Sequence, residues 1–435
     1  MSALPVPDGD LDEFRRRARS FLSFHTAAGA PQALDVALVF QGALHAAGLA
    51  GLSVAPAYGG QGLPAWYETA WREEAARFPL MTEELSITLG NCLPTLLEFG
   101  TESQRRRHVP RILSGREVWC QLFSEPGAGS DLAGVETRAV PVPGGWRVNG
   151  QKVWTTLAHR AAYGILLART DPGVSKHAGL SMFIVDLRSP GVEIRPIHQL
   201  DGARHFDEVF LTDVPVPADA LLPAPGDGWR IASAMLHHQR VARARGQREG
   251  VRHDRTDRLV AEFHQRRPPD PTLRDELARL YTAEVCQSLL VSRSLATAGG
   301  ADPGPIGSLG KLMNALVARR FAQLAWRIVG PDALAWQGPP LGGEGAGLPA
   351  AGAEWARDAL FTLSLSIAGG TNEIQRTIIG ERVLGLPREP SPAGAGRASA
   401  VGRPWVLPRL REPAPGHEHG RDPDPEGLRA VVPGP

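Results

Sequence analysis

The chain is 435 residues long, more than a single hydrophobic core accommodates, so two or three domains are expected. Its 47 basic and 46 acidic side chains leave a formal charge of +1, which gives no general attraction for nucleic acid or an anionic membrane. Cys92, Cys120 and Cys286 are widely spaced and match no zinc or redox pattern, so buried thiols in a reducing cytoplasm are expected. No apolar signal segment opens the chain, and no window reads as long and apolar enough to span a bilayer.

Residues 1–117 read as a helical domain. LDEFRRRARSFLSF places Leu11, Phe14, Ala18, Phe21 and Leu22 on one helical face. A second helix is expected over 31–47, with Pro31 in a favoured first-turn position. The following segment holds Gly59, Gly60 and Gly62, which predict a flexible loop. Further helices are expected over 66–78 and 84–99, and Arg105, Arg106 and Arg107 read as a solvated helix face.

Periodicity changes in residues 118–225, which read as a β domain, a small barrel or sandwich. GGWRVNGQKVWTT predicts two short strands around an Asn-Gly turn. YGILLART, GLSMFIVDL, VEIRPI and HFDEVFLTDVPV are further strand candidates. Asp186, Asp207 and Glu208 read as turn and edge charges, and His198 and His205 lack metal-ligand spacing.

Helix returns over 226–387, where long runs with repeated apolar stripes predict a bundle. His237 and His238 are adjacent, so at most one faces any site. Near the end of this region Gly369 and Gly370 form a hinge open to positive φ. Asn372 is the expected helix cap there, with Gln375 completing a capping box. Ile374, Ile378, Ile379, Val383 and Leu384 share one face, which predicts packing, and the free amides at the helix start suit an anion or polar cofactor. Residues 388–435, rich in proline, glycine and arginine, read as a disordered tail.

The densest chemical signal is CQLFSEPGAGSD, with hydroxyls at Ser124 and Ser130 and glycines at Gly127 and Gly129. Backbone amides converging in such a loop suit a flat polar ring or a pyrophosphate. Trp154, Thr155 and Thr156 of NGQKVWTT add an aromatic plane beside hydroxyls, which suits an isoalloxazine ring.

FSEPGAGSDLAG, NGQKVWTT with LLART, FDEVFLTDVPVPADALL with GW, and GGTNEIQRTIIGERVLGLP, in that order, resemble the acyl-CoA dehydrogenase family over about residues 8–387. The resemblance implies a mainly α fold with a central β domain: an N-terminal helical domain, a middle β barrel and a C-terminal four-helix bundle. It also implies FAD, an oligomer, an electron-transferring flavoprotein as partner, and α,β-dehydrogenation of an acyl-CoA or carrier-bound acyl thioester. On it, Phe123 and Ser124 look like contacts to the flavin pyrimidine edge, and Ser130 like a phosphate or substrate-side contact. Trp154 and Thr156 look like the wall and hydrogen-bond donor beside the ring. Thr371 and Glu373 look like FAD contacts at the last helix, and Arg240 like a cation behind the thioester.

The chain departs from the family where the base belongs. The usual glutamate position before the Gly-Thr of the last motif is Gly369, and the alternative position before the arginine is Gln239, whose amide is no base near neutral pH. The Arg-x-x-Phe-Gly motif that normally reaches a neighbouring subunit's FAD is missing from REGVRHDRTDRLVAEFHQRRPPD, where Arg252 or Arg255 would have to stand in. A usual Gln-x-His-Gly-Gly has become RIVGP, Arg327 to Pro331, with only Gly330 retained. These departures resemble an actinobacterial steroid-catabolism branch that forms mixed heterotetramers, where IAGGT is common and one subunit type lacks the base. A non-catalytic structural partner with incomplete FAD binding, and a flavin oxygenase or oxidase on the same scaffold, are the alternatives.

Overall fold

Apolar spacing at every third or fourth residue sets the first layer. In the computed structural model, which describes residues 8–26, 34–78, 82–200, 202–248, 251–266, 270–297, 304–331 and 353–388, α1 (Asp8–His25) buries Phe14, Ala18 and Leu22. They pack with Phe40 and Leu44 of α2 (Leu34–Ala46) and with Ala70 and Ala75 of α3 (Ala65–Ala75). Buried Glu74 of α3 is clasped by Arg19 at 2.9 Å and Arg15 at 3.3 Å, which pins α1 to α3. The glycine segment expected to be flexible is instead pinned. Gln61 N donates to Gly51 O, Gly62 N to Val54 O and Leu63 N to Leu52 O, and a Cβ on Gly60 would lie 2.2 Å from Val54 O.

The helix expected over 84–99 is continuous but irregular. A short turn at Glu83–Leu85 and one wide turn at Thr88–Cys92 precede α4 (Leu93–Phe99). Pro94 has no amide to donate and sits in the first turn of α4, where a donor is not needed. Next, α5 (Glu102–Leu113) opens with a capping box: Gln104 N donates to Thr101 Oγ1 and Thr101 N to Gln104 Oε1. Arg105 and Arg106 pair with Glu102 of the same helix, and Arg107 reaches Tyr163 Oη at 3.4 Å.

Eight strands follow: β1 (Trp119–Leu122), β2 (Arg138–Val142), β3 (Gly145–Thr156), β4 (Tyr163–Arg169), β5 (Leu180–Asp186), β6 (Val192–Ile197), β7 (Phe206–Pro217) and β8 (Leu221–Leu222). They form one mixed sheet in the order β6-β7-β3-β2-β4-β5-β8, with β1 parallel to β4. The expected Asn-Gly hairpin is not there. Asn149 and Gly150 lie inside β3, and the β2–β3 turn falls at Pro143 and Gly144, because Val142 pairs with Gly145. A shift in register against β7 at Val148/Gly150 absorbs the Asn-Gly pair. Asn149 and Asp213 stitch this irregularity together: Asn149 Nδ2 donates to Asp213 Oδ1, and Asp213 N to Asn149 Oδ1, both at 2.9 Å. A Cβ on Gly150 would lie 2.3 Å from Thr137 Oγ1, so glycine is required where β3 passes the start of β2.

The C-terminal helices are α6 (Gly228–Arg248), α7 (Val251–Arg266), α8 (Pro271–Thr297), α9 (Gly307–Val329), α10 (Ala353–Leu365) and the short α11 (Asn372–Ile378). Leu259 and Phe263 of α7 join Leu277, Leu280, Phe321, Leu324, Ile328 and Trp355 in the bundle core. A separate core joins α4, α5 and the sheet to Ile231 and Met235 of α6, so the bundle's first helix is wedged against the β domain. The described residues up to Leu386 form one compact unit. Nearly all of the expected tail, from residue 389 onward, lies outside the described residues.

Two sequence expectations about burial need correcting. Cys92 and Cys120 are buried, with the Cys92 thiol donating to Cys120 O, but Cys286 is exposed on α8. Asp207, expected at an edge, has no exposed surface and binds His159. Among the described residues no helix is long and apolar enough to cross a membrane, and no His/Cys/Asp/Glu cluster is arranged to hold a metal.

Candidate functional site

The glycine loop after β1 and the C-terminal end of β3 are built as one object. Phe123 is buried and Ser124 half-buried, and Val153 N donates to Ser124 O at 2.9 Å. Lys152, fully buried, donates to Phe123 O at 2.9 Å and to Glu125 Oε1 at 2.8 Å. Glu125 also accepts from the amides of Glu136 at 2.7 Å and Thr137 at 2.9 Å. Beyond this anchor the loop opens to solvent. Ser130 is exposed, and a Cβ on Gly127 or Gly129 would meet nothing within 4 Å.

Trp154 stands beside this loop in an uncommon conformation. Its φ is +58°, in the left-handed region that costs an L-residue about 1–2 kcal/mol. The pairing of β3 with β7 breaks between Lys152 and Thr155 at the same place, turning an indole that is 59% exposed out of the strand. Thr156 is half-buried and returns to register opposite Phe206. Leu157 follows with φ +53°, and the chain then places His159 on buried Asp207, with Nδ1 2.9 Å from Oδ2 and the amide donating at 3.1 Å.

Electrostatics at the anchor are set by burial against pairing. Burial pushes the Lys152 ammonium down to about 8, against the pull of Glu125. Burial alone would raise the Glu125 carboxyl, but Lys152 and the two amides outweigh it and hold it below the ordinary carboxylate range. Neither residue was singled out from the sequence. The available signal was a lysine among the apolar residues of KVW, because a charge inside a strand core requires a partner.

The terminal motif forms a second group. Gly369 and Gly370 both have positive φ, +70° and +91°, as the hinge reading expects. The cap, however, is Thr371, not Asn372: Ile374 N donates to Thr371 Oγ1 at 3.2 Å. Gln375 does not close a capping box; its Nε2 donates back to Gly369 O at 3.2 Å. Buried Asn372 instead accepts from Lys311 of α9. Glu373 is exposed, and its carboxyl is held below the usual range by its own backbone amide at the helix start. The apolar face expected to pack is largely open within this chain, with Ile374, Val383 and Leu384 exposed.

Gln239 and Arg240 sit half-buried on α6, next to His238, whose Nε2 lies 2.9 Å from Glu98 Oε2. Arg252 and Arg255 lie on α7, and Arg327 pairs with Glu276. The sequence-predicted residues thus fall into three groups: Phe123, Ser124, Ser130, Trp154 and Thr156 around the loop after β1 and the end of β3, Gln239 and Arg240 on α6, and Gly369, Thr371 and Glu373 at the start of α11.

Comparison with known proteins bears on all three. Residues 9–116, 120–214 and 226–384 match the N-terminal, middle and C-terminal domains of acyl-CoA dehydrogenase respectively. The chain is 39% identical over 401 residues to the acyl-CoA dehydrogenase IpdE1 of Mycobacterium tuberculosis, covering 87% of this chain and 99% of that one. Among solved structures it is similar to the Tcur3481-Tcur3483 steroid ACAD, with TM-score 0.72 and 26% identity, covering 89% of this chain and all of the other. It is similar also to the ChsE4-ChsE5 complex of Mycobacterium tuberculosis, with TM-score 0.68 and 29% identity, covering 89% of this chain and all of the other. The fold and these matches imply a flavoprotein related to heteromeric steroid dehydrogenases, and the chain belongs to the acyl-CoA dehydrogenase family of oxidoreductases.

Proposed function

We propose that this chain is an FAD-binding subunit of a heteromeric acyl-CoA dehydrogenase, and that a related subunit supplies the base for α,β-dehydrogenation of an acyl thioester. The observation that carries the proposal is the absence of a carboxylate at both Gly369 and Gln239 on a chain that matches all three domains of the family.

The residues around the loop after β1 and the end of β3 fit a flavin ring. The exposed, strained Trp154 offers a flat apolar wall, and open space over Gly127 and Gly129 admits a ligand against the backbone. Phe123, Ser124, Ser130 and Thr156 would supply polar contacts around that space. Thr371 and Glu373 would hold a further part of FAD at the start of α11. Bound FAD would supply the acceptor for hydride leaving Cβ. Arg240 would polarise the thioester carbonyl, making the α-proton more acidic, and the proton would leave to a carboxylate of the partner. The electrons would pass on to an electron-transferring flavoprotein, in a cytoplasmic setting.

One observation favours a second reading, a structural subunit with incomplete FAD binding. Thr371 Oγ1 already accepts from Ile374 N, and Gln375 Nε2 donates to Gly369 O, so part of the terminal motif's hydrogen-bonding capacity is used internally. Co-expression with a related dehydrogenase subunit tests both. A yellow complex with flavin on this chain, bleached anaerobically by an acyl-CoA, supports the proposal. Flavin found only on the partner would sink it in favour of the structural reading.

A further inference from the structure

The loop Pro126–Ser130 has two glycines with nothing around them, and buried Ala128 folds it back on its base through two backbone hydrogen bonds with Glu125. Its direction is set at its base. There one half-buried carboxylate, Glu125, receives the amides of Glu136 and Thr137 at the entry to β2, and Lys152 binds both that carboxylate and Phe123 O. Lys152 is also the last residue of β3 in register with β7, opposite Val209, before the irregularity that turns Trp154 outward. Three segments therefore meet on one ion pair: the glycine loop, the β2 entry and the strand that carries the indole.

We propose that the Lys152–Glu125 ion pair positions the glycine loop against Trp154, and thereby sets the affinity of this chain for FAD. The proposal rests on the flavin reading above. Neither residue is catalytic in it; both act through the loop and the indole. A buried ion pair contributes little net stability over a well-packed apolar pair, and its attested use is to specify one arrangement. Here the specified arrangement is the approach of the two walls. An apolar pair would fill the same volume but would leave Phe123 O and the amides of Glu136 and Thr137 without these partners.

A charge state accompanies the geometry. Glu125 is the charged group facing Lys152, while Glu136, whose amide binds the Glu125 carboxylate, is itself exposed. Burial has brought Lys152 to about 8, so the charged pair weakens within an accessible range. If FAD binds only the protonated form, its Kd rises about tenfold between pH 7 and pH 9.

The full-length chain, or the complex it purifies in, is titrated with FAD by flavin fluorescence quenching and by visible circular dichroism of bound flavin. Expected are the alkaline rise in Kd and, at pH 7, a Kd about tenfold weaker for Glu125→Gln and Lys152→Met. Glu125→Gln also flattens the pH profile, which a merely structural loss does not do. A flat wild-type profile, or folded variants that bind FAD within about twofold of wild type, overturns the positioning role and leaves the flavin reading intact. Wild type that binds no FAD at any pH overturns both. Should the variants not fold, the wild-type pH profile alone decides.

Discussion

Gly369 has a φ of +70°, which bears on any attempt to place a carboxylate there. Any L-residue there meets the left-handed penalty, so Gly369→Ala is expected to lower stability by about 1 kcal/mol in denaturant unfolding. Gly369→Glu carries the same backbone cost, so it is a poor way to install a base. Gln239 is helical and half-buried, and Gln239→Glu is expected to leave stability within about 0.5 kcal/mol. The informative measurement on that variant is anaerobic flavin bleaching by an acyl-CoA. Trp154 is the converse case, a strained residue with little packing to lose. Trp154→Gly is expected to keep unfolding within about 1 kcal/mol, because relief of φ strain offsets the added chain entropy. Its FAD affinity is expected to fall about tenfold with the loss of the indole face, read by fluorescence titration.

Elements show where local pattern suffices and where it misleads. The four-residue spacing of Phe14, Ala18 and Leu22 was legible because a helix repeats its own face regardless of what covers it. The Asn149-Gly150 pair misled, since the same dipeptide that favours a hairpin also tolerates a strand irregularity. At α11 the sequence places Thr371 and Asn372 side by side, and both are good caps. Lys311 on α9 takes the asparagine carbonyl, leaving Thr371 to bind the amide of Ile374. Thr371→Ala is therefore expected to cost about 1 kcal/mol locally and to speed hydrogen exchange at Ile374. Unchanged exchange there would return the cap to Asn372.

At the scale of the whole molecule, buried charges predict an asymmetric pH profile. Burial works against the Glu117 carboxylate, but His108, Trp119 and Arg111 outweigh it, so Glu117, like Glu125, lies below its ordinary value of 4.5. Their stabilisation is complete above that value and is lost as pH falls through the lower folded ones. Lys152 runs in the same direction at the other end. Its folded value of about 8 lies below 10.5, so between these the unfolded chain binds more protons and this group's contribution to stability rises with pH. Denaturant unfolding between pH 3 and pH 10 is expected to show both limbs, and loss of the acid limb in Glu117→Gln would assign part of it. Apolar residues exposed on the bundle, among them Leu289, Leu363, Ile367 and Leu384, favour an assembly. Co-expression with a related subunit is expected to give a complex of defined mass by light scattering, with less hydrophobic-dye binding than this chain alone.

The order of helices, strands and helices and the family motifs were in the sequence, because periodicity, glycine placement and residue identity are local properties. Tertiary structure decided which charges are buried. Lys152 and Glu125 are 27 residues apart, and His159 and Asp207 are 48 apart, so neither pair is announced by any window of chain. Burial is a property of what surrounds a residue, and a carboxylate that reads as a turn charge becomes a buried anchor once the sheet closes over it.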